Sequence, residues 1–173
     1  IGSRCAKLDG LSLGIGVGAV SEELHGVALS AIGSVCGGTS SFLQAAGVFT
    51  YTGKDFTGVQ ASAVCNYTGN DFSGFQASGA VNFISGNFSG MQTSSAFNMT
   101  NGDFTGLQTT GGVNIAGGNF AGMQAGVVNY SGTDFTGFQA GVVNVANGFS
   151  GFQAGILNLT KRFDSGFQLG VVN

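Results

Sequence analysis

The chain has 173 residues, of which 8% are charged, whereas charged residues make up about 25% of an ordinary soluble domain. A hydrophobic fraction of 43%, including 16 Phe, is enough to build a core and argues against disorder. The few basic residues lie outside 56–160, which excludes the basic stripe that nucleic-acid binding needs, and the absence of Pro excludes collagen.

One sequence unit recurs along the chain. FTGVQASAVCNYTGND at 56–71 is followed by FSGFQASGAVNFISGN at 72–87, and the units after residue 120 become shorter. The frame continues backwards in LDGLSLG at 8, LHGVALS at 24 and SSFLQAA at 40. We therefore predict a single repeat domain over 1–173, with degenerate N-terminal coils over 1–55 and regular F-x-G-x-Q…N coils over 56–173.

The repeat length predicts the fold class. A period of 14–16 residues is too short for helical hairpins, and Gly-rich, β-branched units disfavour helix. The sequence therefore predicts an all-β fold, a β-solenoid resembling a parallel β-helix, with about eleven coils of 14–16 residues and two short strands in each coil. Successive coils would stack at roughly 4.8 Å.

Changes in spacing predict where each coil bends. Gln and Asn are six residues apart in the longer units (Gln76 and Asn82) but five apart later (Gln139 and Asn144). Within one strand, a one-residue deletion would turn every following side chain to the opposite face, so a corner must lie between Gln and Asn. The Gly-Asn-Asp segment before each Phe, which also changes in length, predicts a second corner.

Side-chain alternation predicts two faces for each strand. We expect the apolar columns to point inward and the amides to form two structural ladders outside; the inverse arrangement, with hydrogen-bonded amides inside, stays open. The Gln ladder comprises Gln60, Gln76, Gln92, Gln108, Gln124, Gln139, Gln153 and Gln168, and the Asn ladder comprises Asn66, Asn82, Asn98, Asn114, Asn129, Asn144, Asn158 and Asn173. One apolar column comprises Val59, Phe75, Met91, Leu107, Met123, Phe138, Phe152 and Phe167, and the other comprises Cys65, Val81, Phe97, Val113, Val128, Val143, Leu157 and Val172.

Three further rows have structural and functional interpretations. The row before each Phe offers calcium ligands but fits turn capping better, because it lacks the spacing of calcium-binding rolls. The hydroxyl row could present a flat ice-binding face, although Ala121 interrupts it. Five N-x-S/T sequons arise from the repeat itself. The row before each Phe comprises Asp55, Asp71, Asn87, Asp103, Asn119 and Asp134. The hydroxyl row comprises Thr57, Ser73, Ser89, Thr105, Thr136 and Ser150. The sequons lie at Asn66, Asn87, Asn98, Asn129 and Asn158.

The sequence offers little for catalysis or cofactors. His25 is the only imidazole, and the carboxylates are spread one per coil, so we predict neither an enzyme nor a metal or cofactor site. No small-molecule substrate is indicated. Cys5 and Cys36 fall about two coils apart, too far for a direct disulfide, and Cys65 is expected to be a small core residue.

The C-terminal units GFQAGVVN, GFQAGILN and GFQLGVVN resemble the GxQxGxxN surface-repeat proteins of leptospires and many Bacteroidetes. The resemblance covers most of the chain and is tightest over 120–173. It implies an exported or surface-displayed bacterial repeat protein, located extracellularly or at the cell surface. The start at Ile1 rather than Met would fit removal of a leader.

These features together predict a function in assembly. Coils without evident caps and sides without charge favour stacking of one copy on another. We expect a secreted structural protein that partners itself in a homo-oligomer, filament or sheath. The alternatives are a surface adhesin or ice binder that uses one ladder face, and an outer-membrane β-barrel; contact with a membrane stays open.

Overall fold

Short parallel strands stack from one end of the described chain to the other. The computed structural model describes residues 3–173, in which seventeen strands pair in parallel to form a β-solenoid. The strands are β1 Ser3–Gly14, β2 Val17–Ser30, β3 Gly33–Cys36, β4 Thr39–Ala46, β5 Phe49–Thr52, β6 Phe56–Ser62, β7 Cys65–Thr68, β8 Phe72–Ser78, β9 Val81–Ile84, β10 Phe88–Ser94, β11 Phe97–Thr100, β12 Phe104–Thr110, β13 Val113–Ala116, β14 Phe120–Ala125, β15 Val128–Ala140, β16 Val143–Ala154 and β17 Leu157–Leu169.

From β6 to β14, a long strand with the F-x-G-x-Q sequence alternates with a short strand that contains the Asn. In β1, β2 and β15–β17 the short and long segments join in one continuous strand. Equivalent residues pair in register from coil to coil, as in Phe72 with Phe88 and Val81 with Phe97. The long strands stack in ten successive pairings, so the chain makes about ten turns. We number these long strands rungs 1–11 by their first residues: Leu8, Leu24, Ser40, Phe56, Phe72, Phe88, Phe104, Phe120, Phe135, Phe149 and Phe163.

The predicted β-solenoid is therefore confirmed. Both predicted corners are present as well. Bends separate the long strand from the next short strand at Gly126, Gly141 and Gly155. At the second corner the last coils differ from the central ones, because β15 runs through it with only a shift in register between Ser131 and Asp134.

The first residues of rungs 4–10 form the main apolar core. Phe56, Phe72, Phe88, Phe104, Phe120, Phe135 and Phe149 are buried, and neighbouring rings stack with centroids 4.6–5.7 Å apart. Small or aliphatic side chains from the short strands, such as Ile84 and Ala116, pack against this stack. In the first coils an aliphatic cluster that includes Leu24 and Cys36 takes its place. One column of side chains thus supplies most of the hydrophobic interior.

The amides lie inside the solenoid, so the expected face assignment is wrong and its inverse is confirmed. From Gln60 to Gln153 and from Asn66 to Asn158, every ladder amide is buried. Within the Gln ladder, each Nε2 donates to Oε1 of the preceding coil at 2.6–3.1 Å. Within the Asn ladder, each Nδ2 donates to Oδ1 of the following coil, also at 2.6–3.1 Å.

The remaining amide hydrogens satisfy the backbone across the interior. Nδ2 of Asn82 also donates to the carbonyl oxygen of Thr93 at 2.5 Å, and Nε2 of Gln108 lies 3.3 Å from the carbonyl oxygen of Ile115 on the facing short strand. A buried amide is costly only when its hydrogen bonds are unmade. Here the coil spacing supplies a partner above and below each amide, which explains why these polar side chains can occupy the core.

Glycine at the third position of a rung is required by the backbone. Gly74 has φ +131, and a Cβ added there would lie 2.1 Å from the carbonyl oxygen of Gly58 on the previous rung. Rung 3 has Phe42 at this position, with φ +89 and a side chain that is 67% exposed. A bulky residue in this region of φ is strained by about 1–3 kcal/mol.

The interior position of the amides can be tested with two reciprocal substitutions on rung 6, one that removes an amide and one that adds an amide. Gln92→Met removes one ladder amide and orphans the polar groups of Gln76 and Gln108, so we expect the free energy of unfolding to fall by about 2–4 kcal/mol. Met91→Gln places an amide on the outer side and should change it by less than about 1 kcal/mol. Urea unfolding measures both variants; a larger loss for Met91→Gln would support apolar columns inside and amides outside.

The strain at Phe42 gives a second prediction. Phe42→Gly should raise the free energy of unfolding by about 1 kcal/mol, because relief of the backbone strain exceeds the entropy that Gly adds to the unfolded chain. The control is Ala45→Gly on the same rung, where no positive φ is relieved and the added entropy should destabilise the protein by roughly 0.5–1 kcal/mol. Equal effects of the two substitutions on thermal unfolding would argue against strain at Phe42.

Candidate interaction surface

The apolar columns expected in the core lie on the outside. On the rungs, the second, fourth and sixth residues point away from the buried first and fifth residues. We call the fourth-position column the ridge; it comprises Leu11, Val27, Leu43, Val59, Phe75, Met91, Leu107, Met123, Phe138, Phe152 and Phe167. Met91 is 36%, Met123 43% and Phe167 56% exposed. The outer side of the rungs, which we call the long-strand face, therefore carries a continuous central column of apolar side chains, most of them large.

The short strands present a second apolar surface, which we call the short-strand face. The first and third residues of each short strand point outward, while the second and fourth are buried. Along this face Tyr51, Tyr67 and Phe83 stack with ring centroids 5.1 and 5.4 Å apart. The second expected core column, from Cys65 to Val172, belongs to the short-strand face. The two faces look away from each other because the long and short strands bury their other sides against a common interior.

The amides inside and the apolar side chains outside have one physical cause. Each coil is only two strands thick, so its interior holds one Phe, one Gln, one Asn and one short-strand side chain such as Ile84. Apolar residues in excess of that space must lie outside. Both apolar columns were expected inside, but the first-position Phe residues fill the available volume and leave no space for them.

The row before each Phe forms hydrogen bonds from coil to coil at the second corner, where each side chain accepts the backbone N–H of the equivalent residue in the next coil. Oδ1 of Asp71 accepts the backbone N–H of Asn87 at 2.7 Å, and Oδ1 of Asp103 accepts that of Asn119 at 2.7 Å. The row is interrupted at Gly148, where the Arg162 guanidinium reaches across the gap to Asp134 at 2.8 Å. Among residues 3–173, no group of three or more His, Cys, Asp or Glu side chains is arranged to hold a metal ion.

The sequons fall mostly on ladder residues. Asn66, Asn98, Asn129 and Asn158 have buried side chains that are hydrogen-bonded to the next coil, whereas Asn87 is exposed at a corner. A glycan must be attached to an accessible amide nitrogen. In the folded chain the side chain of Asn87 is accessible for glycosylation, and those of the four buried sites are not.

The three cysteines are free thiols in different surroundings. Cys5 is exposed, and Cys36 is buried two coils further on, in the register that the repeat predicts. Burial raises the pKa of the Cys36 thiol, whose Sγ donates to the carbonyl oxygen of Thr39 at 3.2 Å. Cys65 is half-buried on the short-strand face, so its expected core position is wrong.

The only polar cluster around an imidazole lies on the first rungs and was missed by sequence reasoning. Nδ1 of His25 is 2.7 Å from Oγ of Ser41 on the next rung, and Nε2 is 3.9 Å from Oε2 of Glu23. Lys7 donates to the same carboxylate at 3.0 Å, which lowers the pKa of Glu23. The register could have revealed these contacts, since Asp9, His25 and Ser41 align across rungs 1–3. Exposed pairs of this kind are hydrated and contribute little stability.

The chain matches no protein-family model, no curated protein and no solved structure. The resemblance to bacterial surface-repeat proteins therefore stays a prediction that rests on the GxQxGxxN units. Within residues 3–173 there is no helix that is long and apolar enough to cross a lipid bilayer.

Thiol reactivity tests the different positions of the three cysteines. In the native protein at pH 8 we expect iodoacetamide to alkylate Cys5 first and Cys65 more slowly. Cys36 should react only after unfolding, because its raised pKa lowers the thiolate fraction and its side chain is buried. Timed alkylation followed by mass spectrometry, with a urea-unfolded control, measures the order. Rapid modification of native Cys36 would show that the first coils are packed differently.

Proposed function

We propose that this chain is a structural protein that self-assembles into a filament or sheath. The observation that carries the proposal is the pair of uncharged apolar faces on opposite sides of the solenoid. Over 56–160 the sequence contains no basic residue, and its only acidic residues are Asp71, Asp103 and Asp134. These three acids lie in the corner row, so neither face carries a charge there. Monomeric proteins rarely leave such continuous apolar surfaces in water.

The size of the faces supports association with a large partner. A seven-residue rung spans about 23 Å, and eleven rungs rise about 53 Å, so the long-strand face covers roughly 1,200 Å². A stable protein interface needs about 800 Å² from each partner. The long-strand face is thus large enough for a specific interface. The short strands have four residues, so the short-strand face is about 13 Å wide and covers roughly 700 Å². It offers a smaller second contact on the opposite side, through which assembly can continue beyond a dimer.

The regular spacing supports a second copy of the chain as that partner. Side-chain columns repeat at the coil spacing along the whole rod, and a second solenoid has the same spacing by construction. Matching of two such surfaces is the basis of the dry, interdigitated interfaces between paired sheets. Coil stacking between copies, and an extracellular or cell-surface location, belong to the same proposal.

The adhesin and ice-binding alternatives have weaker support. The exposed hydroxyl column from Thr57 to Ser150 lies beside the ridge, whose Phe and Met side chains interrupt the flat surface that an ice-binding face would need. Contact with a lipid surface would use the same apolar faces as self-association, so it is treated as an outcome of the test.

Two charges placed on the ridge test the proposal. Because Phe75 and Phe138 lie outside, the double variant Phe75→Asp with Phe138→Asp should keep the β-sheet circular dichroism of the wild type but lose assembly. Electron microscopy and sedimentation velocity should show large, ordered wild-type particles that persist in 1 M salt, since apolar contacts are not screened. The double variant should sediment as small species.

The matched control adds the same two charges at exposed corner residues, as Asn70→Asp with Asn101→Asp, and should still assemble. A wild-type protein that sediments only as a monomer would contradict the proposal. If such a monomer co-sedimented with phosphatidylcholine vesicles, the apolar faces would be assigned to membrane binding and not to self-association.

A further inference from the structure

The long-strand face has a shape that a second copy can fit. Beside the ridge runs the sixth-position column, which is small over most of the rod: Ala45, Ala61, Ala77, Thr93, Thr109, Ala125, Ala140 and Ala154. Over rungs 1–5 this column, the seventh residues and the first corner line a groove of about 700 Å³. Leu13 and Leu29 occupy the sixth position on rungs 1 and 2, so the small side chains of this column begin at Ala45 on rung 3. The face therefore consists of a high column next to a low one.

We infer that two copies dock through this face as parallel rods, related by a two-fold axis along the rod, with the ridge of each copy packed over the small column of the other. The inference rests on the proposed self-assembly and specifies its first interface. At rung 5, for example, Phe75 of one copy would lie over Ala77 of its partner, and at rung 9 Phe138 would lie over Ala140.

Symmetry selects the parallel arrangement. A two-fold axis along the rod reverses the order of the columns but keeps each rung opposite the same rung, so large side chains meet small ones over rungs 3–10. A two-fold axis along the strands makes the rods antiparallel and sets the ridge directly against the partner's ridge. Two columns of Phe, Met and Leu would then hold the sheets apart and leave the groove unfilled, which close packing disfavours.

The charge distribution is compatible with this docking. From Ser41 on rung 3 to Ala154 on rung 10, the second, fourth and sixth residues include no charged side chain. No ion therefore has to be dehydrated without a partner when the two faces meet over these eight rungs. These eight rungs alone cover roughly 900 Å² of each copy, which exceeds the 800 Å² or so that a stable dimer needs from each partner.

Filling the low column tests the fit without adding charge. Ala61→Phe with Ala77→Phe should weaken association at least about tenfold in sedimentation equilibrium, because the partner's ridge no longer fits. The control, Asn70→Phe with Asn101→Phe, adds two rings at exposed corners and should leave the association constant within about twofold of wild type. A surface that associates nonspecifically through its apolar area would associate as well or better in the Ala61→Phe, Ala77→Phe variant.

Single-cysteine cross-linking tests the orientation independently of the groove. In a background with Cys5→Ser, Cys36→Ala and Cys65→Ser, Val59→Cys marks rung 4 and Met91→Cys marks the central rung 6. Parallel docking brings equal rungs together, so a short bis-maleimide should link both variants into dimers. In an antiparallel dimer the rung 4 positions would be about 19 Å apart along the rod, and only Met91→Cys would react well.

The outcomes separate the two proposals. Retention of assembly by Ala61→Phe with Ala77→Phe, or cross-linking of Met91→Cys alone, would overturn the docking geometry and leave self-assembly standing. A wild-type chain that is monomeric at all concentrations would overturn both. Loss of association in the filled variant, together with cross-linking at both rungs, would establish the parallel ridge-and-groove dimer.

Discussion

The amide hydrogen bond from one coil to the next is the interaction on which the rest of this structure depends. A Gln or Asn side chain can be buried only if both its donor and its acceptor are satisfied, and the coil spacing brings an identical amide within 2.6–3.1 Å above and below. From Gln44 and from Asn66 onward, every coil therefore keeps the same residue at the same position. The coils before them lack the amides, with Ala28 at the Gln position and Thr50 at the Asn position. The changes in coil length fall at the corners, where the ladders are unaffected.

The two ladders run in opposite directions. Gln side chains donate toward the N-terminal end and Asn side chains donate toward the C-terminal end. Aligned amides strengthen one another along a chain of hydrogen bonds, but they also add their dipoles. Because the ladders are antiparallel to each other, their dipoles largely cancel, and the interior gains cooperative hydrogen bonding without a large net field along the rod.

A polar interior has a consequence for the exterior. The coil is too thin to bury both an amide pair and the large apolar columns, so the Phe and Met residues of the ridge remain outside. The same residues that would stabilise an ordinary core become a surface that water solvates poorly. The stability of the single chain and the attraction between copies thus have one origin. The amides occupy the interior and hold the coils together by hydrogen bonds, and the apolar side chains that remain outside are available for contact with another copy.

The sequence by itself determined the period, the parallel register and the positions of the corners. Those features follow from spacing: a deletion between Gln124 and Asn129 that preserves both motifs requires a bend between them, whatever lies inside. Alternation also established that Gln76 and Phe75 face opposite ways. Which of the two points inward was decided only by the tertiary structure, because the answer depends on whether an amide finds partners across and along the coil. The distance from Gln108 to the Ile115 carbonyl, the stack of first-position Phe rings and the strained φ of Phe42 are properties of the closed coil, and no local pattern encodes them.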